Sequence, residues 1–232
     1  MFMEAIKHVF EIIFNPDKVL KRAIELKKYW IPMAVMMVVL SAITVYVAPI
    51  QHADQVKFIK ENPKIMEKLS KEQIEEMEQY NPKKFIPRVL IAVIISIPFI
   101  ILILGAFVNW FSTLAGIETD FVTSMTIVGY SSYIDMLWGG IVKDLLAVSK
   151  GSFLSVSTSL TLFFPSLDFH SKLYRVLSVF DFFNIWSYIV LGIGISLLPK
   201  SSPKKAFIIV LSIYLIKLIF SIIPSLLFSF GF

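Results

Sequence analysis

Asp135 and Lys217 are each the single charge in a long apolar stretch, Asp135 within Phe121–Val142 and Lys217 within Ala206–Phe232. A charge placed in hydrocarbon is costly, so each needs a partner or a use. Asn184, Ser131 and Asp181 complete a candidate polar cluster. One face of the first stretch carries Ser124, Val128, Ser131, Asp135 and Gly139, with Ser132 beside them. Asp181, Asn184, Tyr188, Gly192 and Ser196 form a second stripe, and Tyr214, Lys217, Ser221 and Ser225 a third. Small and polar residues on one stripe let membrane helices approach and satisfy each other.

The depths of these groups agree. Asp135 lies about 21 Å along a helix from Phe121, Lys217 about 17 Å from Ala206 with a long stem, and Asn184 about 21 Å before Leu198. Asp181 falls higher, at about 26 Å. The spacing predicts that Lys217 pairs with Asp135 and that Asn184 hydrogen-bonds to the pair. Two readings stay open: a buried ion pair that fixes helix register, or a proton or ion site.

Other chemistries find no residues to carry them. The chain has no cysteine, so disulfides and thiol catalysis are excluded. His8, His52 and His170 lie far apart with no ligand spacing, and neither a zinc-protease helix motif, a nucleophile elbow nor a phosphate loop occurs. No metal, cofactor or catalytic residue is expected. Gly192-Ile193-Gly194 reads as helix packing, not as a dinucleotide fingerprint. An intramembrane aspartyl protease would have to use Asp135 with Asp181, whose depths differ. The reading is non-enzymatic.

The elements that must position these groups are membrane helices. Hydrophobic residues make up 56% of the chain and charged residues 17%, below the roughly 25% of soluble domains. Mean hydropathy is +0.76. Trp30–Ile50, Val89–Ile117 and Phe182–Pro199 carry no charge. About 20 helical residues cross a hydrocarbon core about 30 Å thick. The expected fold is all-α, a polytopic transmembrane bundle with spans at about 30–50, 89–111, 121–143, 177–199 and 206–228. Pro98 and Pro224 are each expected to kink or interrupt a span. The net charge of +5 then belongs to membrane-surface chemistry, and nucleic acid is excluded as a partner.

Residues 1–28 read as two N-terminal amphipathic helices ahead of the 29–232 membrane domain. Met1–Phe14 lacks the pattern of a cleavable signal, so the first span is expected to direct insertion. Asn15 is expected to cap the second helix, with Pro16 at its first position. That helix carries Lys18, Lys21, Arg22, Lys27 and Lys28, a basic set suited to anionic lipid. It would lie on a leaflet or cap one end of the bundle. Segment 51–84 reads as a solvated helical hairpin, with a capping box at Ser70/Gln73 and i,i+4 pairs Glu67–Lys71 and Lys68–Glu72. Phe153–Phe164 is too short to span and would lie at the surface or cover the bundle. The basic N-terminal helix and Lys200, Lys204 and Lys205 both belong in the cytoplasm by the positive-inside rule. Five spans then leave the C-terminus outside, against the contrary signal of Lys83, Lys84 and Arg88.

Three blocks together resemble the Yip (Ypt-interacting protein) domain family. They are Phe14-Asn15-Pro16 with Trp30-Ile31-Pro32; Gly116, Glu118 and Asp120 with Ile127-Val128-Gly129-Tyr130; and Phe183-Asn184-Ile185-Trp186, Leu191-Gly192-Ile193-Gly194 and Lys204-Lys205-Ala206. Ile134 stands where the family usually has proline, and the eukaryotic Asp-Leu-Tyr-Gly-Pro signature is missing. The likeness is closer to prokaryotic members. It implies five spans with a cytoplasmic N-terminus, in the cell membrane if the source is prokaryotic. The expected role is membrane organisation or scaffolding, with the bilayer and its anionic lipids, other membrane proteins or a second copy as partners. The alternatives are a small-solute or ion transporter using Asp135, Asn184 and Lys217, and a lipid-handling protein suggested by the aromatic-rich segments 163–183 and 220–232.

Overall fold

The computed structural model describes residues 2–168 and 171–227, and all structural statements below concern these. The described residues form helices joined by turns and irregular loops, with a lone antiparallel bridge between Ser159 and Asp181. Helices α1 (Phe2–Phe14) and α2 (Pro16–Leu26) precede α3 (Trp30–Lys60). Two short helices, α4 (Pro63–Met66) and α5 (Lys71–Glu78), lead into α6 (Pro82–Leu114). Next comes α7 (Phe121–Ser132), which runs through a widened π-helical stretch, Tyr133–Gly139, directly into α8 (Gly140–Lys150). An irregular segment with one 3-10 turn, Leu160–Phe163, reaches α9 (Lys172–Ser178), then α10 (Phe182–Ser196) and α11 (Pro203–Leu227).

Three helices are long and apolar enough to cross a membrane: α3, α6 and α11. Both α3, with 31 residues, and α6, with 33, outrun their expected spans. Pro49 does not end α3, and α6 passes unbroken through Pro87 and Pro98. Of the two outcomes expected at Pro98, a break in the helix does not occur. Asn81 and Pro82 do not close the preceding hairpin; they start α6, with Asn81 Oδ1 accepting the Lys83 N–H at 3.1 Å. Pro224 and Ser225 lie where side chains are outside the described set. Helix α10, at 15 residues, is shorter than the expected 177–199 because the chain bends before Asp181 and restarts there.

Helix α7 is the axis. All ten residues from Thr123 to Ser132 are buried, so no face meets the surroundings. Against it pack α3, α6, α10 and α2, while α11 lies against α10 and α6, and α1 against α2 and α3. Glycines allow the close approaches. A Cβ on Gly129 would come within 2.8 Å of Pro32 on α3, and one on Gly194 would collide with Ile127 on α7 and press on Leu20 of α2. Gly192 likewise faces the Phe207 ring. The Gly192-Ile193-Gly194 run is thus a packing surface.

The N-terminal pair is fastened to the bundle. Val19, Leu20 and Ala23 of α2 are buried against α7 and α10. The Trp138 indole N–H donates to the Val9 carbonyl at 2.8 Å, and His8 sits edge-on to Tyr130. Asn15 makes no side-chain cap, contrary to expectation; Pro16, which has no N–H to offer, makes the break alone. Lys18, Lys21 and Arg22 remain exposed. Lys27, which ends α2 in a left-handed conformation, pairs with Asp120 at 2.5 Å.

The two ends of the bundle are tied differently. At the Lys27 end, Lys200 pairs with Glu118 at 2.5 Å, and the Glu118 N–H donates to the Pro199 carbonyl. At the opposite end, buried Asp54 of α3 accepts from the Ser152 hydroxyl at 2.7 Å and the Phe153 N–H at 2.5 Å, anchoring the 151–168 segment. The 61–81 hairpin forms its capping box at Ser70/Gln73 as expected. The Glu67–Lys71 and Lys68–Glu72 spacings straddle the break between α4 and α5, so they lose helical register. Cross-segment pairs Lys60–Glu78 (2.6 Å) and Lys84–Glu76 (2.7 Å) form instead.

Asp120 caps α7 through the Thr123 N–H at 2.8 Å. The Lys27 ammonium first, then that N–H, hold its carboxyl below the ordinary aspartate range. A depressed pKa contributes stability above the unfolded value, lost as pH falls through the folded one. Asp120→Ala is expected to cost about 1 kcal/mol at neutral pH. Thermal unfolding in detergent should show wild type losing more than the variant between pH 7 and about pH 3. Gly194→Leu should destabilise by about 1–3 kcal/mol in the same assay through overpacking.

Candidate functional site

The widened turn comes first, because it sets where Asp135 points. Residues 133–139 follow a wider helical path than α7, and such departures recur at functional sites. Gly139 admits Phe183 of α10, whose side chain would lie 2.9 Å from a Cβ there. Asp135 stands on this stretch and faces α10.

Asn184 is placed by a cap. Asp181 Oδ1 accepts the N–H groups of Phe183 (2.9 Å) and Asn184 (3.2 Å), starting α10. Asn184 is buried one turn inside that end. Its amide N–H donates to Asp135 Oδ2 at 2.5 Å, and its carbonyl oxygen accepts from the Lys217 ammonium. Lys217 also lies over the rings of Tyr188 (5.5 Å) and Tyr214 (5.9 Å), which meet edge to face at 5.0 Å. The expected direct Lys217–Asp135 pair is therefore replaced by a relay. Helix α10 packs against both the widened stretch and α11, and its amide bridges the charges.

Polar contacts continue on either side of this level. Toward the Asp54 end, Asp181 Oδ2 accepts from Lys143 at 3.0 Å and from the Thr158 hydroxyl at 2.5 Å. Asp181 is thus neighbour to the cluster and spends its charge on Lys143. One turn further in, the Ser187 hydroxyl donates to the Ser131 carbonyl at 3.0 Å. Ser131 contributes its backbone here, because its own hydroxyl is turned back to the Ile127 and Val128 carbonyls. Beyond Ser131 the facing side chains of α7 and α10 turn apolar. Leu20, Ile127, Leu191 and Ile195 are sealed together in the apolar core.

Beside this ladder lies a cavity of about 590 Å³. Its polar side is Asp135, Asn184, Lys217 and Ser132; its apolar wall comes from Phe99, Ile103 and Phe107 of α6 and Phe220 of α11. Phe99 and Phe220 are exposed on the bundle's flank, so the cavity is a cleft that opens sideways. Its size falls in the roughly 300–1,000 Å³ range of ligand pockets. Among the described residues, Asp135 accepts from Asn184 alone and Lys217 donates to Asn184 alone. One carboxylate oxygen and two ammonium protons are left to the cleft.

The five basic residues of the N-terminal helix lie apart from the cluster, at the Lys27 end. His8 sits on Tyr130 and His52 between Tyr80 and Phe85, and neither lines the cleft; His170 is outside the described residues. Sequence reasoning missed Lys143 as the partner of Asp181, although it is the first cation after Asp135, two turns on. It also missed the aromatic wall of α6, which no polar residue marks.

A family model described as the Yip1 domain matches residues 10–223. No curated protein and no solved structure matches the chain.

If Asn184 relays the two charges, removing it should hurt more than removing both charges. Asn184→Leu leaves an unsatisfied carboxylate and ammonium and should cost about 3–5 kcal/mol. Asp135→Asn with Lys217→Gln should fall short of the sum of the single losses by about 0.5–3 kcal/mol. Thermal midpoints of the purified variants measure both, and strict additivity would mean the groups do not communicate.

Proposed function

This chain belongs to the Yip1 domain family, and on that premise we propose that it is a non-enzymatic, five-crossing membrane protein that organises the bilayer by holding lipid. In this reading α3, α6 and α11 are three crossings. The α7–α8 rod and the short α10 are the other two. Lys27 and Lys200 stand at one end, on Asp120 and Glu118, and with the other basic residues of α2 and of the 200–205 turn they assign that end to the cytoplasm. The N-terminus is then cytoplasmic and the C-terminus outside. Lys83, Lys84 and Arg88 oppose this count, but Lys84 is paired with Glu76.

The observation that carries the reading is a cleft with a charged floor and an apolar wall that opens on the flank. An ion path needs polar groups across the whole membrane; a lipid site needs a polar foot and an apolar wall. Exposed Lys21 would add contact with anionic headgroups, at about 1 kcal/mol, whereas Lys18 and Arg22 are paired with Glu11 and Glu25.

Lipid retained after purification in mild detergent and ion flux in proteoliposomes test this together. Wild type is expected to keep bound lipid and to leave flux at the level of empty vesicles. Ile103→Trp, which fills the cleft from its apolar side, should reduce the retained lipid severalfold. Flux abolished by Asp135→Asn would instead establish the transporter alternative.

A further inference from the structure

We infer that the cleft selects a zwitterionic phospholipid whose headgroup carries a primary ammonium beside its phosphate. The inference rests on the lipid-holding reading and adds which lipid is held. Its basis is the charge pattern of the floor. Asp135 and Lys217 present one negative and one positive group, held apart by the amide of Asn184. A purely anionic headgroup that reaches Lys217 also meets Asp135, and a purely cationic one meets Lys217. A phosphate–ammonium pair matches both, with phosphate on the free Lys217 protons and ammonium on the free Asp135 oxygen.

The other charges nearby do not tip this balance. Lys143 and Asp181, the next ionised groups along the seam, neutralise each other. A quaternary ammonium fits less well than a primary one. It has no N–H for Asp135, and the Tyr188 and Tyr214 rings that could cage it already face Lys217. The acyl chains are taken by Phe99, Ile103, Phe107 and Phe220. Position agrees as well. Asn184 lies about 5 Å inside the α10 cap, so a headgroup entering from the flank is drawn only one turn deeper than that end.

The test compares phosphatidylethanolamine, phosphatidylcholine and phosphatidylglycerol of matched chains, each competing against a fluorescent phospholipid on the full-length protein in detergent. Wild type is expected to prefer phosphatidylethanolamine over either rival by about tenfold, the worth of one hydrogen bond to a charged group. Asp135→Asn should erase the preference over phosphatidylcholine and raise phosphatidylglycerol to first place. Lys217→Gln should weaken all three. Soluble phosphoethanolamine should not compete, since it lacks the chains. Equal binding of the three lipids by wild type would overturn the selectivity while lipid holding stands, and this arm needs no variant to fold. Competition by soluble phosphoethanolamine as strong as by the lipid would overturn the assignment to a lipid. Absence of any lipid binding would remove the underlying reading together with this one.

Discussion

Helix α7 is enclosed on every side from Thr123 to Ser132, so the polar side chains there turn to a neighbour or to their own backbone. Ser131 and Ser132 turn back to carbonyls one turn earlier, as does Thr126 to Val122. Asp135 has no such option, since a carboxylate cannot donate to a carbonyl. It needs a donor from another helix, and α10 supplies one in Asn184. The placement of α10, its cap at Asp181 and the reach of Lys217 from α11 all meet at this requirement.

Glycine and the widened turn make the arrangement possible. Gly129 and Gly194 bring α3, α10 and α2 close enough to enclose α7, while Gly139 lets Phe183 in beside Asp135. Toward the Lys27 end Leu20, Ile127 and Ile195 are fully buried in the apolar core. Toward the other end α6 and α11 leave the cleft between them. One half of the seam is therefore built around apolar core side chains, and the other half is open at its flank. That asymmetry is the physical ground for reading the cleft as a site for an amphiphile.

The N-terminal pair has two faces with different consequences. Its apolar stripe, Val19, Leu20 and Ala23, is spent on the bundle, and Val9 holds Trp138. Its basic stripe remains outside. A helix locked this way presents its charges in a fixed position, which suits repeated contact with one membrane surface. Ile6, Phe10 and Phe14 of α1 are also exposed, an apolar ridge on the same flank as the helix itself.

Much of this molecule is legible in its residues taken alone. Apolar runs with isolated charges require lipid and helices, and the depths of Asp135, Asn184 and Lys217 place them at one level, because rise per residue is nearly constant in a helix. The capping box at Ser70/Gln73 is equally local. Other features depend on distance in space. Pro98 can kink or interrupt a helix, yet α6 continues through it. Whether Lys217 touches Asp135 or Asn184 is a matter of which helix stands between them, and rise cannot report lateral order. The widened turn at 133–139, the Lys143–Asp181 pair and the aromatic wall opposite the polar seam belong to tertiary structure as well. A sequence records what each helix face offers, but only packing decides which faces meet and where they fail to close.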